Sequence, residues 1–326
     1  MRRRDLLMAA CVPAVLGVPT WSFAQATRPA RIGFIGGSVA ALSDPFLSNF
    51  QAGLAQYGWQ LGQTAVIAPA YANDAMDVVP DLVADLERGG ATVIVTHAHA
   101  TTAVVRAKRS SPVVYQFSAD PVTSGLAGEL SRPLFNATGI TLMAAELNAK
   151  RLDLLREMAP DVRRLAVLYN PLHAGDHLER GWVERRGQEL GFDISYYPAG
   201  NKVSLDAVLA SIAAASPQAL LVLSDGFTAQ HRGSIVSLAN QLAIPSVSGW
   251  AVMAEAGALL TFGPRLRESF RRAGYLVDRI LRGAKPSDLP IEQPVILELV
   301  VNVATARRLG REIPSSLLAR ADQVID

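Results

Sequence analysis

The chain is expected to fold as an α/β protein of two doubly wound, Rossmann-like lobes joined by hinge crossovers. Its 326 residues are about twice the length of a typical domain of roughly 150 residues, so two domains are the natural expectation. Half of the residues are hydrophobic and 18% are charged, a balance that buries a core rather than leaving the chain disordered. From Arg31 onward, short β-branched runs alternate with longer amphipathic stretches, the pattern of βαβ units feeding a parallel sheet.

In the first lobe, strands are expected at Arg31–Ile35, Ala65–Ala68, Thr92–Thr96 and Val113–Phe117, which are short runs rich in β-branched and aromatic residues. Helical periodicity places helices between them at Pro45–Tyr57, Val78–Arg88 and Thr101–Lys108. A helix at Ala144–Met158, its exit marked by Pro160, opens a second series. There the strands are Arg164–Tyr169, Asp193–Tyr197, Ala219–Leu223 and a short one near Ser246, separated by helices near Leu178–Leu190, Leu205–Ala215 and Ser234–Leu242. Ala258–Phe262 is expected to cross back, Arg265–Leu281 to form a helix stopped by Gly283, and Val295–Val301 to cross once more before two short C-terminal helices. Residues 27–142 with about 263–285 then make lobe I, and 143–262 with about 286–326 make lobe II. Sheets of this kind bind ligands beyond the carboxyl ends of their strands. Two such lobes facing each other line a cleft, and hinge closure around a solute is the mechanical use of that arrangement.

At the N-terminus, Arg2, Arg3 and Arg4 precede an uncharged run from Leu6 to Val18, and Ala24 and Ala26 form an A-x-A cleavage pattern. This is a signal peptide spanning residues 1–26, and it implies a periplasmic protein. Paired arginines ahead of Leu6-Leu7 also fit the twin-arginine route, although general secretory signals have similar n-regions. Cys11 is the only cysteine and lies inside the apolar run, so the mature chain is expected to hold no disulfide. The formal charge of +2 falls close to neutral when the arginine-rich leader is removed. A chain without a basic face is not expected to bind nucleic acid.

Several ordered segments resemble a known family. They are Lys150-Arg151-Leu152-Asp153-Leu154-Leu155, Leu165-Ala166-Val167-Leu168-Tyr169-Asn170-Pro171, and the run Gly283 to Pro294. Together with Asp120-Pro121-Val122, Arg132 to Thr141 and the closing Ile313 to Asp322, they resemble the ABC-transporter substrate-binding proteins related to tryptophan- and tyrosine-binding receptors. The resemblance spans essentially the whole mature chain. It implies a type I periplasmic-binding fold with three crossovers, no catalytic activity, and a permease with its ATPase as partners; no cofactor is expected, and the receptor is expected to be a monomer. Thr96-His97-Ala98-His99-Ala100-Thr101-Thr102 departs from the small Ser/Gly/Thr/Pro loop usual after the third strand.

The candidate ligand-binding residues follow the strand ends. Ser38, after Gly36-Gly37, can offer a hydroxyl and neighbouring N–H groups to an anion, as glycine-rich strand-to-helix turns do. Thr101 and Thr102 stand at a helix start, where a hydroxyl serves either a ligand or a cap. Asp120, before Pro121, can pair with an ammonium or form an Asx turn. Asn170 and Asp225 occupy the corresponding places in the second lobe. Phe46, Phe117, Phe227 and Trp250 lie near loop tips where an aromatic can stack on a flat ligand, and Gly226 and Gly249 beside the last two favour a cleft position. His97 or His99 can hydrogen-bond a solute. The same H-x-H pair, with His173 or His177, gives an alternative reading as a zinc receptor. An exported hydrolase is a further alternative, against the absence of G-x-S-x-G, P-loop and G-x-G-x-x-G patterns. The expected ligand is a small amino-acid-like or aromatic acid, with hydroxyls and N–H groups of the first lobe on its carboxylate and Asp120 or Asp225 on its amine.

Overall fold

The computed structural model describes residues 28–107, 110–142 and 144–326. The expected signal peptide therefore lies outside the described residues. Lobe I runs through β1 (Ala30–Gly36), α1 (Ala40–Gln56), β2 (Ala65–Tyr71), α2 (Val79–Arg88), β3 (Val93–His97), α3 (Ala100–Arg106) and β4 (Val113–Phe117). A small hairpin, β5 (Ala127–Glu129) with β6 (Arg132–Pro133), leads into β7 (Ala137–Thr141). The five long strands form one parallel sheet in the order β2-β1-β3-β4-β7.

Lobe II begins with α4 (Ala144–Met158), β8 (Arg164–Tyr169), α5 (Asp176–Glu189), β9 (Asp193–Pro198) and α6 (Lys202–Ala215). It continues through β10 (Ala219–Val222), α7 (Gly226–Gln230), α8 (Arg232–Gln241), β11 (Ser246–Ser248), α9 (Ala251–Glu255) and β12 (Leu260–Pro264). The long α10 (Leu266–Leu281) returns to lobe I, and β13 (Leu297–Asn302), α11 (Val303–Arg308), α12 (Ser315–Arg320) and β14 (Gln323–Ile325) complete lobe II. The second sheet has the order β14-β13-β12-β11-β10-β8-β9, parallel except where β13 meets β12.

The β-branched runs become inner strands because both faces of each sheet are covered. In β3, Val93 and Val95 pack with Phe50, Leu54 and Val277 from α1 and α10, while Ile94 packs on the opposite face with Val79, Val83 and Val104 from α2 and α3. A strand buried on both sides reads as a continuous apolar run, and Val93-Ile94-Val95 is one. α2 buries Val79, Val83 and Leu86 at helical spacing. α10 buries Phe270, Ala273, Val277 and Ile280 in the same way and stops before Gly283, whose φ of +100° suits a residue without a Cβ. α1 and α10 cross at glycines: a Cβ on Gly53 would lie 2.2 Å from the Arg271 carbonyl oxygen, and one on Gly274 would lie 2.6 Å from Gly53.

Three details differ from the sequence expectation. β7 is a strand where the sequence reading placed no element, and Gly139 is required there because a Cβ would meet the Tyr115 carbonyl oxygen at 2.2 Å. Leu260–Pro264 is an inner strand of the second sheet, so the crossing falls after Pro264 rather than within Ala258–Phe262. The chain also stays with lobe I beyond residue 285: Glu292 donates its N–H to Gly139 and accepts from Thr141, while its side chain holds Arg272 of α10. Among the described residues no helix is long and apolar enough to cross a membrane.

Candidate functional site

The carboxyl ends of the parallel strands converge between the lobes and enclose a cavity of about 120 Å³. Lobe I supplies Ser38 after β1, His97 at the end of β3, Gln116 from β4 and Ser118 just after it; lobe II supplies Gly226 after β10 and Trp250 after β11. One wall is aromatic. Phe46 of α1 stacks on Phe270 of α10 with ring centroids 4.7 Å apart. The His97 ring lies 5.1 Å from Phe46, 5.5 Å from Phe270 and 5.6 Å from Phe34. Opposite, Trp250 packs with Leu142 and Ala229 and is almost fully buried.

Polar groups in this apolar chamber are conspicuously unsatisfied. Among the described residues, His97 Nε2, both amide atoms of Gln116, Trp250 Nε1 and Gln230 Oε1 are buried without a hydrogen-bond partner, and all four residues line the cavity. Each such atom costs about 1–3 kcal/mol, so a concentration of them at one place marks where a ligand's polar groups would be met. Burial, reinforced by the nearby His99, lowers the pKa of His97 to about 3, so its ring is a neutral hydrogen-bonding group. Arg232, the first residue of α8, also lines the cavity; its Nη1 donates to the Ala229 carbonyl at 2.9 Å.

The lobes touch directly around this chamber. Gln230 Nε2 of lobe II donates to Asp74 Oδ2 of lobe I at 3.0 Å, and His99 Nε2 lies 3.3 Å from Asp74 Oδ1. The bond from His99, aided by those from Gln230 and Ser38 and opposed by burial, holds the Asp74 carboxyl below its ordinary value. Ser118 Oγ of lobe I and His173 Nε2 of lobe II are 2.8 Å apart. His173 Nδ1 sits 3.8 Å from Glu179, a carboxyl that burial pushes up while the fully buried Arg151 pulls it down. Burial also lowers the pKa of His173, so the neutral ring is favoured.

The candidate residues fall into two groups. Ser38, His97 and Trp250 line the cavity. The others are placed elsewhere. Thr101 and Thr102 lie in the first turn of α3; Thr101 Oγ1 donates to the Gln116 carbonyl at 3.3 Å, and neither residue lines the cavity or caps the helix. Asp120 is an Asx-turn residue whose Oδ1 accepts the Val122 N–H at 2.8 Å, and it borders a separate groove beside Trp182. Asp225 is consumed at the start of α7, where Oδ1 accepts the Thr228 N–H at 2.7 Å and Oδ2 accepts from Asn170 Nδ2 at 2.6 Å. Asn170 in turn accepts the Leu172 N–H. Phe227 packs into the lobe II core with Leu168 and Val222.

His99 stands apart from His97 because Ala98 between them adopts a left-handed φ of +56°, turning strand into helix. His97 points among aromatic rings, whereas His99 lies against Gly37 and Gly226 and meets Asp74. Among the described residues no three His, Cys, Asp or Glu side chains gather as a metal site. This corrects the alternative reading of a zinc centre at the H-x-H pair, which required a continuous strand through all three residues. Phe46, an aromatic beside Pro45 that the sequence places near a loop tip, lines the cavity as well, whereas Gln116, Ser118, Gln230, Arg232 and Phe270 are lining residues to which the sequence does not point.

A sequence profile of the family described as ABC transporter substrate binding protein matches residues 43–325. None of the curated proteins matches the chain. Among solved structures, an ABC domain from Streptococcus pneumonia in complex with L-Trp superposes with a TM-score of 0.84 at 22% identity, covering 91% of this chain and 100% of that one. A conserved domain protein from Vibrio cholerae is similar to the same degree, with a TM-score of 0.84, 22% identity and coverage of 91% and 100%. A solute-binding protein from R. palustris in complex with benzoate has a TM-score of 0.55 at 16% identity, covering 80% of this chain and 76% of that one. These likenesses bear out the type I periplasmic-binding fold expected from the sequence. With a profile match that runs through both lobes to the penultimate residue, the chain belongs to the ABC transporter substrate-binding protein family.

Proposed function

We propose that the protein is the exported solute receptor of an ABC importer, and that it captures a small aromatic or amino-acid-like acid between its lobes by hinge closure. The observation that carries this reading is the cavity between the lobes, walled by Phe46, Phe270 and Trp250 and holding unpartnered buried polar atoms from both sides. Apolar walls with a few convergent polar groups are the composition of a small-molecule site. Its 120 Å³ is comparable to the roughly 150 Å³ that admits benzene in an engineered apolar cavity, which suits one aromatic ring. The relatives that bind L-Trp and benzoate support the same class, since both ligands join a ring to a carboxylate.

Closure desolvates these contacts and presents one rigid surface, which a permease with its ATPase reads as the loaded state. The receptor acts as a monomer in the periplasm, reached through the leader at residues 1–26. Small-angle scattering and thermal unfolding of the refolded mature protein, with and without aromatic acids and amino acids, test the reading. A ligand at 100 times its Kd should raise stability by about 2.7 kcal/mol and contract the radius of gyration. If the protein turns over a solute that it binds, the receptor role fails. If no ring-bearing carboxylate alters either quantity, the ligand class fails.

A further inference from the structure

We infer that the cleft selects a ring-bearing monocarboxylate that carries no ammonium group, with Arg232 as the anchor of the carboxylate. The inference rests on the receptor reading above and narrows its ligand. Arg232 is half-buried at the cavity wall, and among the described residues it forms no ion pair. One of its N–H groups is taken by the Ala229 carbonyl, and a guanidinium offers five in a fork that matches a carboxylate. Two further donors, Trp250 Nε1–H and the Gln116 amide, lie buried and unpartnered in the same chamber. The site is therefore rich in donors for an anion.

An α-ammonium would find no such counterpart. Among the described residues no Asp or Glu lines the cavity. Asp74 is occupied by His99 and Gln230 at the junction of the lobes. Asp225 already accepts from Thr228 and Asn170, and Asp120 sits on a different groove. Glu179 is buried behind His173. A desolvated ammonium without an anionic partner carries a penalty that outweighs what the rest of an amino acid gains in a chamber of this size.

The test holds the ring constant and changes the head group. Benzoate, benzamide and L-phenylalanine are titrated calorimetrically into the full mature chain after unfolding and refolding to strip any bound solute. Benzoate should bind about 10- to 100-fold tighter than benzamide, the range expected for a hydrogen bond to a charged group, and tighter than L-phenylalanine. Arg232→Gln should bring benzoate down to the benzamide level and leave benzamide unchanged, whereas Arg232→Lys should recover part of the loss. Equal binding of benzoate and benzamide, or unchanged benzoate affinity in Arg232→Gln, overturns the anchor. Preference for L-phenylalanine overturns the inference while leaving the receptor reading intact. If none of the three binds, the inference is refuted, and closure with another solute in the scattering experiment decides the receptor reading separately. Should the Arg232 variants not fold, the three head groups on the unaltered protein still decide.

Discussion

Replacing Gly226 by Ala should weaken solute binding without destabilising the ligand-free protein. Gly226 opens α7 of lobe II, and a Cβ there would lie 2.8 Å from the Ala98 Cβ and 3.3 Å from His99 Nδ1, both in lobe I. A relaxed carbon contact needs about 3.5–4.0 Å, so the overlap is close to 1 Å and exists only when the lobes meet. Ala98 cannot easily retreat, because its left-handed backbone is fixed between β3 and α3. Overpacking of this kind costs about 1–3 kcal/mol, and here it falls on the closed form alone. At about 1.4 kcal/mol per factor of ten, affinity should drop roughly 5- to 100-fold. Calorimetric titration gives the affinity, urea unfolding of the ligand-free variant gives the stability, and scattering reports whether the loaded variant still contracts. Wild-type affinity in Gly226→Ala would show that this contact is not part of the bound state. Equal losses in stability and affinity would show that the glycine serves lobe II itself.

Other outcomes follow from the same geometry. Trp250→Phe keeps the ring and removes the unpartnered indole N–H, so affinity should fall about 2- to 10-fold; unchanged affinity would mean that this donor does not meet the solute. The His97 ring is neutral in the fold, with a pKa lowered by burial to about 3 against about 6.5 in an unfolded chain. Its contribution is therefore complete above about pH 6.5 and is lost as the pH falls toward 3, at up to about 1.4 kcal/mol per pH unit. Urea unfolding at pH 7 and 4.5 should show a shallower decline for His97→Phe, and parallel declines would refute the assignment. Asp225→Ala removes the α7 cap and leaves Asn170 Nδ2 without its acceptor, so denaturant unfolding should show a loss of about 1–3 kcal/mol. Asp120→Ala, in an Asx turn off the cavity, should change affinity by no more than about twofold; a tenfold loss would place it at the ligand after all.

The two-lobed architecture was legible because inner strands such as Val93-Ile94-Val95 and amphipathic helices such as α10 carry their burial in their periodicity. β7 was not, since Gly139 answers a close approach of Tyr115 that no local pattern announces. The cavity was legible only at strand ends. The rule that ligands bind there led to Ser38, His97 and Trp250, but it cannot say whether a strand-end side chain turns into the cleft or back onto its own loop. Asp120 and Asp225 turned back, one to Val122 and the other to Thr228, using the same carboxylate chemistry that made them candidates. Phe46 and Phe270 stack although they are remote in sequence, and Gln116 sits inside a run that reads as plain strand. Contacts made by tertiary folding alone leave no mark in a local window.

The glycine crossing of α1 and α10 also dictates an order of events for a growing polypeptide. The core of lobe I needs Ala273, Leu276 and Val277 of α10 against Phe50 and Leu54 of α1. Those residues are synthesised only after lobe II has been made through β12. Until then the first lobe lacks one helical layer, and Phe46 lacks the ring on which it stacks. Native contacts separated this widely are slow to form. The N-terminal half therefore stays incompletely folded through most of translation, and the aromatic wall of the cavity is among the last features of the molecule to come into being.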